Sequence, residues 1–317
     1  MLLVKQNPII LNANSPNSGT YTVSIIDGDA WTQKSNVGGA LRYGAVGFSI
    51  GSKGYVGTGT YGLSVSSFKK DFWEFDPVLN TWTQKADFGG TARYLAVGFS
   101  IGTKGYLGTG WQGSTGVNTR DFWEYDPSLN LWTQKANFCV LAREAAVGFS
   151  IGTKGYIGCG VTGGYVNDFW EYNPTLDSWT AKASFGGLGR GSAVGFSIGT
   201  KGYIGTGQNS PVNFFQDFWE YDPSINMWTQ KANFEGTARE SAVGFSIGTR
   251  GYIGTGKDGT SGKQDFWEYT PVSNSWIQKA DFAGNIRASA IGFSIGTKGY
   301  LGTGDGAGST AFDDFWE

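Results

Sequence analysis

The 317-residue sequence predicts an all-β fold, a six-bladed β-propeller of four-stranded antiparallel blades. Three observations predict it. The first is a repeat: the stretch 121–160, DFWEYDPSLNLWTQKANFCVLAREAAVGFSIGTKGYIGCG, returns in six versions. Its DFWE anchor begins at residues 71, 121, 168, 217, 265 and 314, in steps of 50, 47, 49, 48 and 49 residues. The second is the content of one copy, which holds four short β-type segments and no 3.6-residue periodicity. The third is the aromatic pattern. Of 13 Trp, all but Trp111 fall at two repeated positions, the FW and the WTQ anchors. A single four-stranded sheet cannot bury both of its faces, whereas six stacked in a ring bury a continuous core.

Each element has a local reason. AVGFSI (146–151) is a first strand, with β-formers separated by small residues. GTKG (152–155) turns the chain into a second strand, YIGCG (156–160). A loop of changing length follows, then an aromatic third strand, DFWEY. The turn DPSLN (126–130) has Pro to preset φ, and Asp and Asn to bond the local backbone. LWTQKA is the fourth strand. The repeat region opens on a fourth-strand signal at 30–34 and closes on a third-strand signal at 314–317. The ring is therefore expected to close by pairing 30–34 with 314–317, which removes two sheet edges.

The order of a strand, a Tyr-containing strand ending in small residues, an aromatic-x-Tyr-Asp-Pro segment, Asn-x-Trp and then Arg resembles the kelch repeat. The resemblance covers about residues 29–317. Kelch repeats usually carry Gly-Gly after the second-strand Tyr. This chain carries Gly-Thr-Gly instead (57–59, 108–110, 205–207, 254–256 and 302–304), and Gly-Cys-Gly at 158–160. The resemblance implies a propeller like the central domain of galactose oxidase, and a binding or scaffold module. The likeness of the copies is similar to that of secreted or surface-attached bacterial proteins, so an extracellular or cell-surface location is expected.

Residues 1–28 lie outside the repeat. Asn7 and Pro8 interrupt any apolar run, so the opening does not read as a signal peptide. Residues 18–25 alternate like a strand and resemble the last strand of an immunoglobulin-like domain. Two domain units are expected: an N-terminal extension, 1–28, and a monomeric propeller, 29–317, within a multidomain chain. A tail packed on the propeller is the alternative.

Composition excludes several chemistries. The net charge is −2 and the isoelectric point near 5.3, against the basic stripe that nucleic acid requires. No apolar run is long enough for membrane insertion. The sequence has no His, which removes His-based triads, His-ligated metals and the copper chemistry of galactose oxidase. No cofactor is expected. Cys139 and Cys159 lie in one repeat, and either a disulfide between them or two buried thiols fits the spacing.

Features repeated six times read as structural, since a catalytic acid is needed only once. These are Glu74, Glu124, Glu171, Glu220, Glu268 and Glu317 of the FWE anchors, and Arg42, Arg93, Arg143, Arg190, Arg239 and Arg287. Each Glu is expected to pair with such an Arg or with a fourth-strand Lys, because a carboxylate in an aromatic strand needs a cation. The alternative reads the six Arg as an anion-binding ring at the channel mouth. Function is expected where the copies disagree. The loops after the second strand vary in length and sequence, as do the positions after each Arg, and both sets emerge on one face. Candidate ligand-binding residues are Tyr43, Tyr61, Tyr94, Trp111, Gln112, Glu144, Tyr165, Asn209, Phe214, Phe215, Glu240, Lys257, Asp258 and Asp305. Aromatics among mixed polar groups suit a protein or glycan ligand. A carbohydrate-active enzyme using Glu144, Glu240 or Asp258 is the alternative, and a structural spacer without ligand is another.

Overall fold

The computed structural model describes residues 29–317, apart from 63, 114, 139, 140 and 307–309. The N-terminal extension and Cys139 therefore lie outside the described residues. The unit Trp31–Glu317 is all-β. Six four-stranded antiparallel sheets follow one another as blades. Blade one is Val46–Ile50, Lys53–Gly57, Phe72–Asp76 and Thr81–Lys85, each strand pairing with the next. Blades two to five repeat this order, with first strands at Val97–Ile101, Val147–Ile151, Val194–Ile198 and Val243–Ile247. Blade six takes Ile291–Ile295, Lys298–Gly302 and Phe315–Trp316 from the end of the chain and Gln33–Lys34 from its beginning. The closure is antiparallel, with Gln33 opposite Trp316 and Lys34 opposite Phe315. It meets the expected pairing of the two ends.

The core sits between blades, as the aromatic pattern requires. Phe48, Tyr55 and Phe72 of blade one meet Leu107, Tyr125 and Trp132 of blade two in one buried cluster. The same cluster recurs at the other junctions with equivalent residues. At the closing junction Trp31 packs edge-on against Phe266 and Phe282 of blade five, at 5.0 and 5.1 Å. The first strands approach so closely that a Cβ on Gly98 would lie 1.9 Å from Val46. The Asp-Pro turns also join blades. Asn130, at φ 51°, accepts the Ala86 amide of the previous blade through Oδ1, and Trp132 Nε1 donates to the Ala86 carbonyl.

Each repeated Arg is buried, with 0 or 1% of its surface exposed. Its partner is the Asp that opens the DFWE anchor. Arg42 binds Asp71, and the other five bind Asp121, Asp168, Asp217, Asp265 and Asp314, with both terminal nitrogens donating at 2.5–2.8 Å. The same Asp accepts from the Trp two residues on, as Asp71 does from Trp73 Nε1 at 2.7 Å. The guanidinium also donates to the carbonyl of the middle Gly-x-Gly residue, Thr58 for Arg42. Each guanidinium is thereby paired and out of solvent, so the six Arg do not form an exposed anion-binding ring. The repeated Glu has different partners from the expected Arg. All six accept a hydrogen bond from a second-strand Tyr hydroxyl, from Tyr55 to Glu74 through Tyr300 to Glu317, at 2.6–2.9 Å. The fourth-strand Lys reaches five of them, as Lys34 reaches Glu317 and Lys182 reaches Glu171, both at 3.2 Å. An Arg fork fits the Asp at the strand's start, and the longer Glu side chain lies further along the strand beside the Tyr and Lys.

The middle residue of Gly-x-Gly has positive φ in every blade: 56–60° for Thr58, Thr109, Thr206, Thr255 and Thr303, and 58° for Cys159. The Thr hydroxyls are buried without a hydrogen-bond partner. That accounts for the one Cys, since a site that makes no use of the hydroxyl accepts a thiol. Cys159 is a free, buried thiol, pushed up to about 12 by burial, and is therefore inert.

Two outcomes are expected. Trp31→Ala should cost about 3 kcal/mol in urea unfolding, because it empties the closing interface; a loss within error would mean the ring does not depend on that contact. The second concerns acid. Burial raises the Asp71, Asp121 and Asp265 carboxyls, but the hydrogen bond and charge of their Arg, with the indole N–H, outweigh it and leave them below the usual 3.8. A depressed folded-state value contributes stability that is complete above the unfolded value and lost as pH falls through the folded one. The gap in melting temperature between wild type and Asp265→Asn should hold from pH 7 to 5 and narrow progressively as pH falls below the ordinary carboxylate value of 3.8. A gap that stays undiminished down to acid unfolding would contradict the pairing.

Candidate functional site

The candidate site is the channel mouth on the variable-loop face. Its lining takes two residues per blade, of which the first are Gly44, Leu95, Ala145, Ser192, Ser241 and Ser289 and the second is Ala in every blade. The first set forms a ring. Each residue of this ring has a φ of 52–58°. In that conformation each amide donates to the carbonyl of the equivalent residue in the preceding blade, at 2.8–3.0 Å. Gly44 donates to Ser289, and the circle closes.

The residue just before each of these is turned outward. It pairs with the residue just after Gly-x-Gly through two backbone hydrogen bonds of 2.8–3.2 Å. The six pairs are Tyr43 with Thr60, Tyr94 with Trp111, Glu144 with Val161, Gly191 with Gln208, Glu240 with Lys257, and Ala288 with Asp305. The two variable sets expected on one face are thus joined residue to residue. Equivalent backbone bridges thus carry twelve residues of ten types around the mouth.

One arc is aromatic. Tyr43 and Tyr94 meet edge to face with ring centroids 6.3 Å apart, and Tyr94 and Trp111 at 5.7 Å. Phe68 is buried beneath them, 5.7 Å from Tyr94 and 5.4 Å from Trp111. Trp111 is half-buried and begins a short hairpin, Trp111–Gln112 with Val117–Asn118. Burial, then the charges of Glu144 and Tyr43, push the Tyr94 hydroxyl up to about 12.

The remaining arc is polar. Glu240 is buried and ion-paired to the exposed Lys257 at 3.3 Å. Burial raises the Asp305 carboxyl, although the Lys257 charge and a hydrogen bond with Ser289 act against it. Its Oδ1 is buried without a hydrogen-bond partner, as is Gln208 Oε1. Burial alone raises the Glu144 carboxyl. Burial and then the charge of Asp305 raise the Tyr43 hydroxyl, so blades six and one are electrostatically joined.

Seven of the sequence candidates therefore meet at the rim: Tyr43, Tyr94, Trp111, Glu144, Glu240, Lys257 and Asp305. The others serve the loops. Tyr61 is exposed, with the Lys69 ammonium 4.6 Å above its ring. Gln112 lies in the Trp111 hairpin. Tyr165 bridges back to Val161 in its own loop. Asn209 accepts from Asn213 within the hairpin Gln208–Ser210 and Asn213–Phe214. Phe214 lies against Gly259 of the next loop, and Phe215 stacks on Arg190 at 4.0 Å. Asp258 is held by Lys263 at 2.5 Å and by Thr260. Phe68, Gln208 and Ser289 were not among the candidates. For Gln208 the sequence signal was its place directly after Gly207, the position that Trp111 occupies after Gly110. Among the described residues no group of three or more His, Cys, Asp or Glu is placed to hold a metal ion, and no helix is long and apolar enough to cross a membrane.

With this geometry established, the comparisons with known proteins add the fold. The solved structure of YjhT is similar to this chain with a TM-score of 0.76 and 16% sequence identity, over 89% of this chain and 95% of that one. A likeness at that identity bears on fold alone. No family model and no curated protein matches the sequence, so the kelch resemblance rests on its motifs.

Proposed function

We propose that the chain is a non-catalytic, kelch-like binding module whose ligand docks on the variable-loop face at the channel mouth. One observation carries this reading. Six equivalent backbone pairs hold residues that vary around the ring, while the Arg–Asp and Tyr–Glu contacts beneath them recur in all six blades. Diverse side chains on a frame that does not vary are how recognition surfaces are built. Half-buried aromatics beside unfilled acceptors suit hot-spot contact with a protein or stacking against a glycan. The same reading places the module within a larger secreted or cell-surface protein.

A second reading, a carbohydrate-active hydrolase or lyase, draws on Glu144. Its carboxyl is raised by burial, as a general acid requires. Such chemistry takes a second carboxylate within roughly 5–10 Å. Glu240, the equivalent residue two blades on, is committed to Lys257.

A random-peptide display selection and a glycan array, each repeated with Trp111→Ala, test the proposal. The expected result is a ligand whose binding falls at least tenfold in the variant while the global melting transition stays in place. Ligands that are indifferent to Trp111 and lost instead on substitution at the Asp-Pro turns would place binding on the other face.

A further inference from the structure

The variable face carries a second concavity away from the mouth. It lies at the seam of blades five and six, between the loop that precedes Arg287 and the loop that leads to the last DFWE anchor. Gln264, Asn285, Ile286, Gly306, Thr310 and Phe312 line this one cleft, which encloses about 390 Å³ against about 120 Å³ at the mouth. Small-ligand pockets enclose roughly 300–1,000 Å³. None of the six lining residues belongs to the six rim pairs.

The aromatic wall of the cleft is fixed from beneath. The Arg287 guanidinium lies 4.5 Å from the centre of the Phe312 ring and 4.7 Å from that of Phe282, and it forks to Asp314. One face of Phe312 is thereby taken, so the surface it lends to the cleft is the opposite face and the rim of the ring. The Phe312 amide donates to the Gly304 carbonyl at 2.9 Å, and its carbonyl accepts from Arg42 at 3.1 Å. Beside it the Gly306 amide donates to the Thr310 carbonyl at 2.9 Å, which ties the stem of that loop.

The polar wall consists of amides with unused capacity. Gln264 Nε2 donates to the Gly284 carbonyl at 2.5 Å, which holds the side chain and leaves Oε1 as an acceptor. Asn285 is exposed, and among the described residues its side-chain amide makes no hydrogen bond. At the same place, two residues before the repeated Arg, Thr91 and Thr237 accept from Arg93 and Arg239 at 3.0 and 3.2 Å. Asn285 stands there without that contact. No lining residue is charged, and the Arg287 behind Phe312 is neutralised by Asp314.

We propose that this cleft binds a neutral sugar ring of a glycan, its C–H face against Phe312 and its hydroxyls on Asn285 and Gln264. This rests on the variable face being the binding face, and adds to the mouth a second site with a named ligand class. A side-chain amide both donates and accepts, as a sugar hydroxyl does. The negative π-face of Phe312 attracts the polarised C–H groups of a pyranose. An uncharged lining gives an ionic ligand nothing to pair with.

The test is saturation-transfer NMR, with titration, on the full chain. The probes are the methyl glycosides of glucose, galactose, mannose and N-acetylglucosamine, with decaproline as a peptide comparison. Each is repeated with Asn285→Ala, Phe312→Ala and Trp111→Ala. At least one glycoside should bind saturably, at least fivefold more weakly in the two cleft variants and unchanged in Trp111→Ala. Asn285→Ala removes an exposed side chain without partners, so its melting temperature should stay in place and the test survives if Phe312→Ala fails to fold. Glycoside binding that ignores Asn285→Ala, or no glycoside binding at all, would overturn the proposal. Decaproline binding through Asn285 without any glycoside would overturn it in favour of a peptide groove. If glycosides depend on Trp111 and not on the cleft variants, the cleft falls and the mouth reading stands.

Discussion

The circle of six backbone hydrogen bonds at the channel mouth is the constraint on which the rest depends. Every member donates to the blade before it and accepts from the blade after it, so the circle exists only when all six blades are in register. It demands left-handed backbone at each position, and five of the six are not glycine. Such a conformation costs an L-residue about 1–2 kcal/mol. The cost is offset because both the amide and the carbonyl find partners at a site where they would otherwise be stranded. The second strained position, the middle residue of Gly-x-Gly, is met in the same way: its carbonyl takes the buried guanidinium, which the Asp of the next strand holds in place.

These contacts are made by backbone or by residues common to all six blades, so the side chains just outside them are released from structural duty. Tyr43, Tyr94, Glu144, Gly191, Glu240 and Ala288 occupy equivalent positions and are of four residue types. The mouth is consequently uneven, aromatic across blades one and two and acidic through blades three, five and six. A ring that is symmetric in its backbone thus offers an asymmetric surface, which a recognition site needs and a spacer does not.

The architecture was legible because it is written in periodic residues. The FW and WTQ tryptophans mark the blade interfaces, and the end signals at 30–34 and 314–317 name the closing strands. The Glu partners were read in part: the fourth-strand Lys was one of the two expected, and it is found. Arg, the other, recurs sixfold as Glu does, but it takes a different carboxylate. The Asp that opens each DFWE recurs as faithfully, but periodicity does not say which carboxylate lies within reach of a guanidinium. Reach depends on where along the strand each side chain starts. The site was legible as a face and illegible as a geometry. Tyr94 and Trp111 lie 17 residues apart, joined by a two-bond bridge that no local pattern encodes. Phe68 sits in the longest loop without a repeated neighbour to flag it, although it supports both aromatics. Phe215, read as a binding aromatic, stacks on Arg190, a contact that the sequence pattern does not reveal.

The most direct measurement is native-state hydrogen exchange at the amides of Gly44, Leu95, Ala145, Ser192, Ser241 and Ser289. If the circle is the shared constraint, none can open alone. All six should then exchange with the same free energy, equal to that of global unfolding, and with the same denaturant dependence. Contradiction would come from amides that exchange by separate local openings of low free energy, above all if Leu95 or Ser192 did so while the blades stayed folded.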